Sequence, residues 1–168
     1  MNFKRAFTII EMIVIIGSLA FVFIIVSQIL MNSVKSSRKM TKSNGVEEGG
    51  SWVIAEIRKN LLKADVYSLS CPTGVGSSVT FVSRIDGQET SIVCDENEGL
   101  IASVSAGRSV SFLTDEVKVS GCDSFVSCDL DSPIPVVDFS FNLSIGDRSR
   151  GVDDYASRDF DAKVVIRE

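Results

Sequence analysis

Residues 12–34 read MIVIIGSLAFVFIIVSQILMNSV and contain no charged side chain. No other feature limits the chain so sharply. Residues 12–31 alone match the ~20 apolar positions needed to cross ~30 Å of hydrocarbon as a helix. With 168 residues in total, the chain has room for an anchor of this kind and one modest domain, and too few for two ordinary domains. The run opens on an acid, Glu11. An ionised carboxylate at a bilayer centre costs about 2.5–3.5 kcal/mol, so an acid in such a segment marks a function and needs a partner.

Apolar residues make up 45% of the chain but are concentrated at the front, which leaves a body rich in Ser, Val, Asp and Gly, suited to short strands and turns. The formal net charge of −5 argues against a protein that coats nucleic acid. The chain has no histidine, which removes Ser-His-Asp and Cys-His catalysis and the commonest zinc and haem ligand. No enzyme activity is expected.

All four cysteines, Cys71, Cys94, Cys122 and Cys128, follow the apolar run. An even number in an exported body reads as two disulfides, for which three connectivities exist. The expectation is local pairing: Cys122 with Cys128 around a surface loop, DSFVS, and Cys71 with Cys94 across neighbouring strands. The rival is a zinc site of four thiolates, against which stands the lack of a C-x-x-C.

Three origins compete for the front end. A cleaved secretory signal needs a shorter core followed by a small-x-small site, which QILMNSVKSS does not offer. A plain signal anchor leaves Glu11 unexplained. The third is a segment processed ahead of the apolar run. Lys35, Arg38, Lys39 and Lys42 outnumber Lys4 and Arg5, which taken alone would hold the body in the cytoplasm. The disulfide argument points the other way and carries more weight.

The segment KRAFTIIEMIVIIG resembles the processing and assembly signal of type IV prepilins and type II secretion pseudopilins. In that family a short basic leader ends in a small residue, and a membrane peptidase cuts before an apolar residue that is then N-methylated. The resemblance makes Ala6 the last leader residue, where the family usually has Gly, and Phe7 the mature, methylated first residue. Thr8 becomes the second position and Glu11 the fifth. It implies that Glu11 pairs with the Phe7 amine of a neighbouring subunit, or with its own, and so sets axial register together with Thr8. Breaking one side of a buried pair typically costs about 3–5 kcal/mol. The implied partners are other pilin or pseudopilin subunits, the prepilin peptidase and an inner-membrane assembly platform. The implied location is the cytoplasmic membrane, crossed once, with the C-terminal body outside, and a pilus or pseudopilus after assembly. The body is also similar to minor subunits, the J-type pseudopilins and PilW-like minor pilins, in a helix ending in IRKNLLKAD, a Cys-Pro, and a closing strand of F-x-x-x-V-x-I-R pattern. In such systems a minor subunit sits at the tip and primes assembly.

The expected fold is α+β: a long N-terminal helix, transmembrane in its first half, packed on an antiparallel sheet. The organisation is a leader at 1–6, an assembly helix at 7–31, a polar linker and amphipathic helix at 32–65, and a β-rich pilin-like domain at 66–168. Gly45, Gly49 and Gly50 predict a break or loosened stretch. Beyond them Val53, Ile54, Ile57, Leu61 and Leu62 recur at helical spacing. Strands are expected in SVTFVSRI and TSIVC, joined at Asp86-Gly87, then in LIASVS, SVSFL, EVKVS, PVVDFSFNLSI and FDAKVVIRE, with a long polar loop before the last.

Asp153, Asp154, Asp159 and Asp161 form the one cluster considered for calcium, but they lack the order of a known calcium loop, and a solvated acidic loop is the default. No other cofactor is expected. The acidic turn Asp95, Glu96 and Glu98 reads the same way. Trp52 is expected to pack on the sheet rather than to anchor at a membrane surface. The basic run from Lys35 to Lys42 reads as a solvated helix face just outside the bilayer. The alternative function is a membrane-anchored binding module for adhesion or DNA uptake.

Overall fold

The computed structural model describes residues 8–72, 74–129, 135–147, 149 and 154–166. One helix, α1 (Ile9–Leu61), runs for 53 residues, and the chain divides into two units after Arg38. In the first unit, described from Thr8 onward, nearly every side chain is exposed, including Ile10, Phe21, Phe23 and Ile29. The apolar residues there cover all sides of the helix, so no face of it is distinctly polar.

In the second unit α1 buries Val46, Gly50, Val53, Ile57 and Leu61, a stripe at intervals of three and four that keeps one face on the core. Ile54 lies at its margin, and Leu62, expected within the stripe, falls past the helix end and is exposed. The helix also runs unbroken through Gly45, Gly49 and Gly50, contrary to the predicted break. Packing accounts for this. A Cβ on Gly50 would collide with the Phe160 ring, and one on Gly45 would sit 3.1 Å from the Ile145 methyl. Each glycine costs a helix roughly 0.5–1 kcal/mol relative to alanine, whereas burying one phenylalanine returns about 1.5–3 kcal/mol. The close approach wins. The last turn tightens as Ala64 N–H donates to the Leu61 carbonyl, and Asp65 Oδ1 accepts from Tyr67 N–H at 3.1 Å to start a single 3-10 turn.

Two antiparallel sheets follow. The first is a meander of β2 (Ser78–Val82), β3 (Glu89–Asp95), β4 (Leu100–Ser105) and β5 (Arg108–Ser111), each paired with the next. The β2–β3 connection is the hairpin expected at Asp86-Gly87, with Gly87 at φ +67°. The second sheet is built around β8 (Val136–Gly146), which pairs along its whole length with β9 (Tyr155–Val165). On its other side β8 takes β7 (Val126–Asp129) beside its first half and β6 (Val117–Ser120) beside its second, with β1 (Val75–Gly76) beyond β7. Alternation along β8 buries Val137, Phe139, Phe141 and Leu143, and Phe141 stacks on its cross-strand partner Phe160 with centroids 5.6 Å apart. β9 begins at Tyr155, inside the stretch expected to be loop.

The disulfides are Cys71–Cys128 and Cys94–Cys122, which overturns the expected local pairing. The segment DSFVS is no surface loop: Phe125 and Val126 are fully buried, and β7 carries Cys128 away from Cys122 into the second sheet. The pairing of Val75 with Ser127 brings the approach to β1 beside Cys128, so Cys71 meets it with Cα atoms 6.2 Å apart. Cys94 faces inward on β3 and reaches Cys122, in the turn after β6, which ties one sheet to the other. With all four cysteines in disulfides, the four-thiolate zinc alternative falls as well.

Candidate functional site

The residues that carry the resemblance lie at the start of α1. Ala6 and Phe7 fall outside the described residues. Thr8 caps the helix: its carbonyl accepts from Glu11 N–H at 3.1 Å and Met12 N–H at 3.2 Å, and its Oγ1 accepts from Glu11 N–H at 3.4 Å. Glu11 is thus the third helical residue after a threonine cap, the spacing of a capping box, where an acid also meets the positive end of the helix dipole. The signal T-x-x-E was present in the sequence, and reading Glu11 only as the partner of a Phe7 amine, a neighbour's or its own, missed this local role. From Met12 to Val34 nothing charged follows. Among the described residues α1 is the one helix long and apolar enough to cross a membrane, and none of its most apolar window is buried. That is consistent with single-pass anchoring.

The acidic candidates do not converge. Asp153 is outside the described residues. Asp154 Oδ1 pairs with Lys42 Nζ at 3.1 Å, and its carbonyl accepts from the same ammonium at 2.6 Å. Asp159 and Asp161 sit two positions apart on the exposed side of β9, where Asp159 accepts from Asn142 Nδ2 at 2.7 Å. Among the described residues no three acidic, cysteine or histidine side chains are placed to share a metal ion. Asp95 shapes its own turn, accepting from the backbone N–H groups of Asn97 and Glu98.

Trp52 does not pack on the sheet as expected. It is 57% exposed, because the helix turns its neighbour Val53 inward and Trp52 stands about 100° around from it. Trp52 instead walls an open groove of about 580 Å³ between α1 and the segment joining β5 to β6. Gly45, Gly49, Phe112, Val117 and Ile145 contribute apolar lining, and Glu48 and Glu116 line it as well. Among the described residues no Lys or Arg lines it. Sequence reading had no means of finding the groove, since its walls lie more than fifty positions apart.

In the β2–β3 turn the Ser83 hydroxyl and the Gln88 N–H hydrogen-bond Asp86 and hold its carboxyl below the ordinary aspartate value of 3.8. This is turn chemistry on an exposed hairpin.

Comparison with family models, with curated proteins and with solved structures gives no match to this chain.

Proposed function

We propose that this chain is a minor pilin or pseudopilin, a non-catalytic structural subunit of a type IV pilus or type II secretion pseudopilus. In this reading the apolar part of α1 anchors it in the cytoplasmic membrane with the disulfide-bonded body outside. A prepilin peptidase cuts between Ala6 and Phe7, Phe7 is N-methylated, and an assembly platform adds the subunit to its siblings, with a place at the tip where it starts assembly.

The observation that carries the reading is a helix left bare over its apolar part, with a single acid at its first turn. Packing Ile, Val and Phe side chains against equivalent helices covers that surface outside the bilayer, and each fully buried side chain of this size contributes roughly 1.5–3 kcal/mol. In a plain anchor the charge of Glu11 serves only the start of its own helix. In a helix bundle, a carboxylate facing the new Phe7 ammonium of a neighbour discriminates the correct axial step from others that leave it unpaired.

The test is Glu11→Gln, which keeps a hydrogen-bonding side chain at the helix start and removes the charge. The variant is expected to reach the membrane in normal amounts and to vanish from the sheared filament fraction. Undiminished incorporation would contradict the proposal.

A further inference from the structure

The groove beside Trp52 is used by nothing described so far. It combines an apolar lining, an exposed indole and two carboxylates, Glu48 and Glu116, and among the described residues no cation lines it. Its volume of about 580 Å³ is that of a site for a few side chains. What fits is an apolar surface carrying Lys or Arg, whose charge meets the two acids and the indole face.

The described residues of this chain include such a surface. Leu30, Met31, Val34, Lys35 and Arg38 line one shallow face of α1, and the three apolar members are 52–69% exposed. The same stretch opens the densest run of cations in the chain, Lys35, Arg38, Lys39 and Lys42. We propose that the Trp52 groove of one subunit receives the apolar and basic helix face of residues 30–38 from a second copy. Leu30, Met31 and Val34 cover the groove lining, while Lys35 and Arg38 reach Glu48 and Glu116. The two stretches belong to one continuous helix, so a second molecule must supply the insert. This rests on the assembly reading above and names the contact by which one body grips the next subunit.

Trp52 is the sole tryptophan, so its emission reports the groove directly. The full chain in zwitterionic detergent micelles is titrated with a peptide of residues 29–42. A saturable blue shift is expected. Glu48→Lys/Glu116→Lys, at exposed positions, weakens binding by about tenfold or more, as replacing two attractive pairs with two repulsive ones requires. A peptide carrying Lys35→Glu and Arg38→Glu restores the shift with that variant and fails with the parent chain. An unmoved emission, or a shift indifferent to both charge reversals, overturns the proposal. So does a peptide that binds anionic vesicles while leaving Trp52 unaffected, because the basic face would then belong to lipid. Trimming at Ala6 and the Glu11→Gln phenotype are read independently. If both hold while the titration fails, only the groove contact is lost.

Discussion

Replacing Gly50 by alanine tests how the helix and the second sheet fit together. In an isolated helix the change is favourable, by about 0.8–1.0 kcal/mol. Here the new methyl group enters the space of the Phe160 ring. That ring is only 8% exposed and stacked on Phe141, so it has no free volume to move into. Overpacking of this kind costs typically 1–3 kcal/mol, which outweighs the helix gain and leaves Gly50→Ala destabilising by about 1 kcal/mol. Phe160→Ala alone loses about 3–5 kcal/mol but vacates the site. In that background Gly50→Ala should become stabilising, and the cycle should show a coupling of about 1–3 kcal/mol, as expected of residues in contact. The assay is urea unfolding of the full chain in detergent with disulfides intact, followed by circular dichroism. A stabilising Gly50→Ala in the parent chain, or equal effects in both backgrounds, would refute the packing argument.

Two further predictions concern the body. Peptide mapping without reduction should recover Cys71 joined to Cys128 and Cys94 joined to Cys122. Their sequence separations are 57 and 28, so loop closure assigns them about 4.2 and 3.6 kcal/mol, against about 2 kcal/mol for a bond within the 122–128 turn. Cys94→Ser/Cys122→Ser should therefore cost about 3–4 kcal/mol, and recovery of a Cys122–Cys128 peptide would refute the sheet-to-sheet link. Asp86 should titrate below 3.8 in carbon-detected NMR, and Ser83→Ala should bring it back toward that value. Because its folded pKa is lowered, its contribution is present above the unfolded value and fades as pH falls through the folded one. A titration at or above 3.8 would contradict the hydrogen bonding described.

Elements whose signal is local were legible in the sequence. Uninterrupted apolarity marked the first part of α1, period-two alternation marked β8, and Asp86-Gly87 marked the β2–β3 hairpin. What escaped was set by tertiary contact. The glycines looked like a break because helix propensity counts only the chain's own backbone, and Phe160, which rewards their small size, arrives more than a hundred positions later. Phe125 and Val126 were hidden where a single 3-10 turn meets a four-residue strand too short to alternate, and with them the true partner of Cys128. Trp52 was misplaced because spacing alone leaves the rotation of a helix on its sheet free by one position. At the candidate site, the threonine cap was written as T-x-x-E, whereas the groove depends on a fold that joins α1 to the β5–β6 segment.

The central claim is that the chain is trimmed ahead of a bare apolar helix, so that a new ammonium becomes available to Glu11. Intact-mass and amino-terminal sequencing of the protein isolated from its native membrane tests this most directly. The account predicts a chain that begins at Phe7 and carries one extra methyl group on its amine. A native protein that still begins at Met1, or one cut beyond Val34, would contradict it.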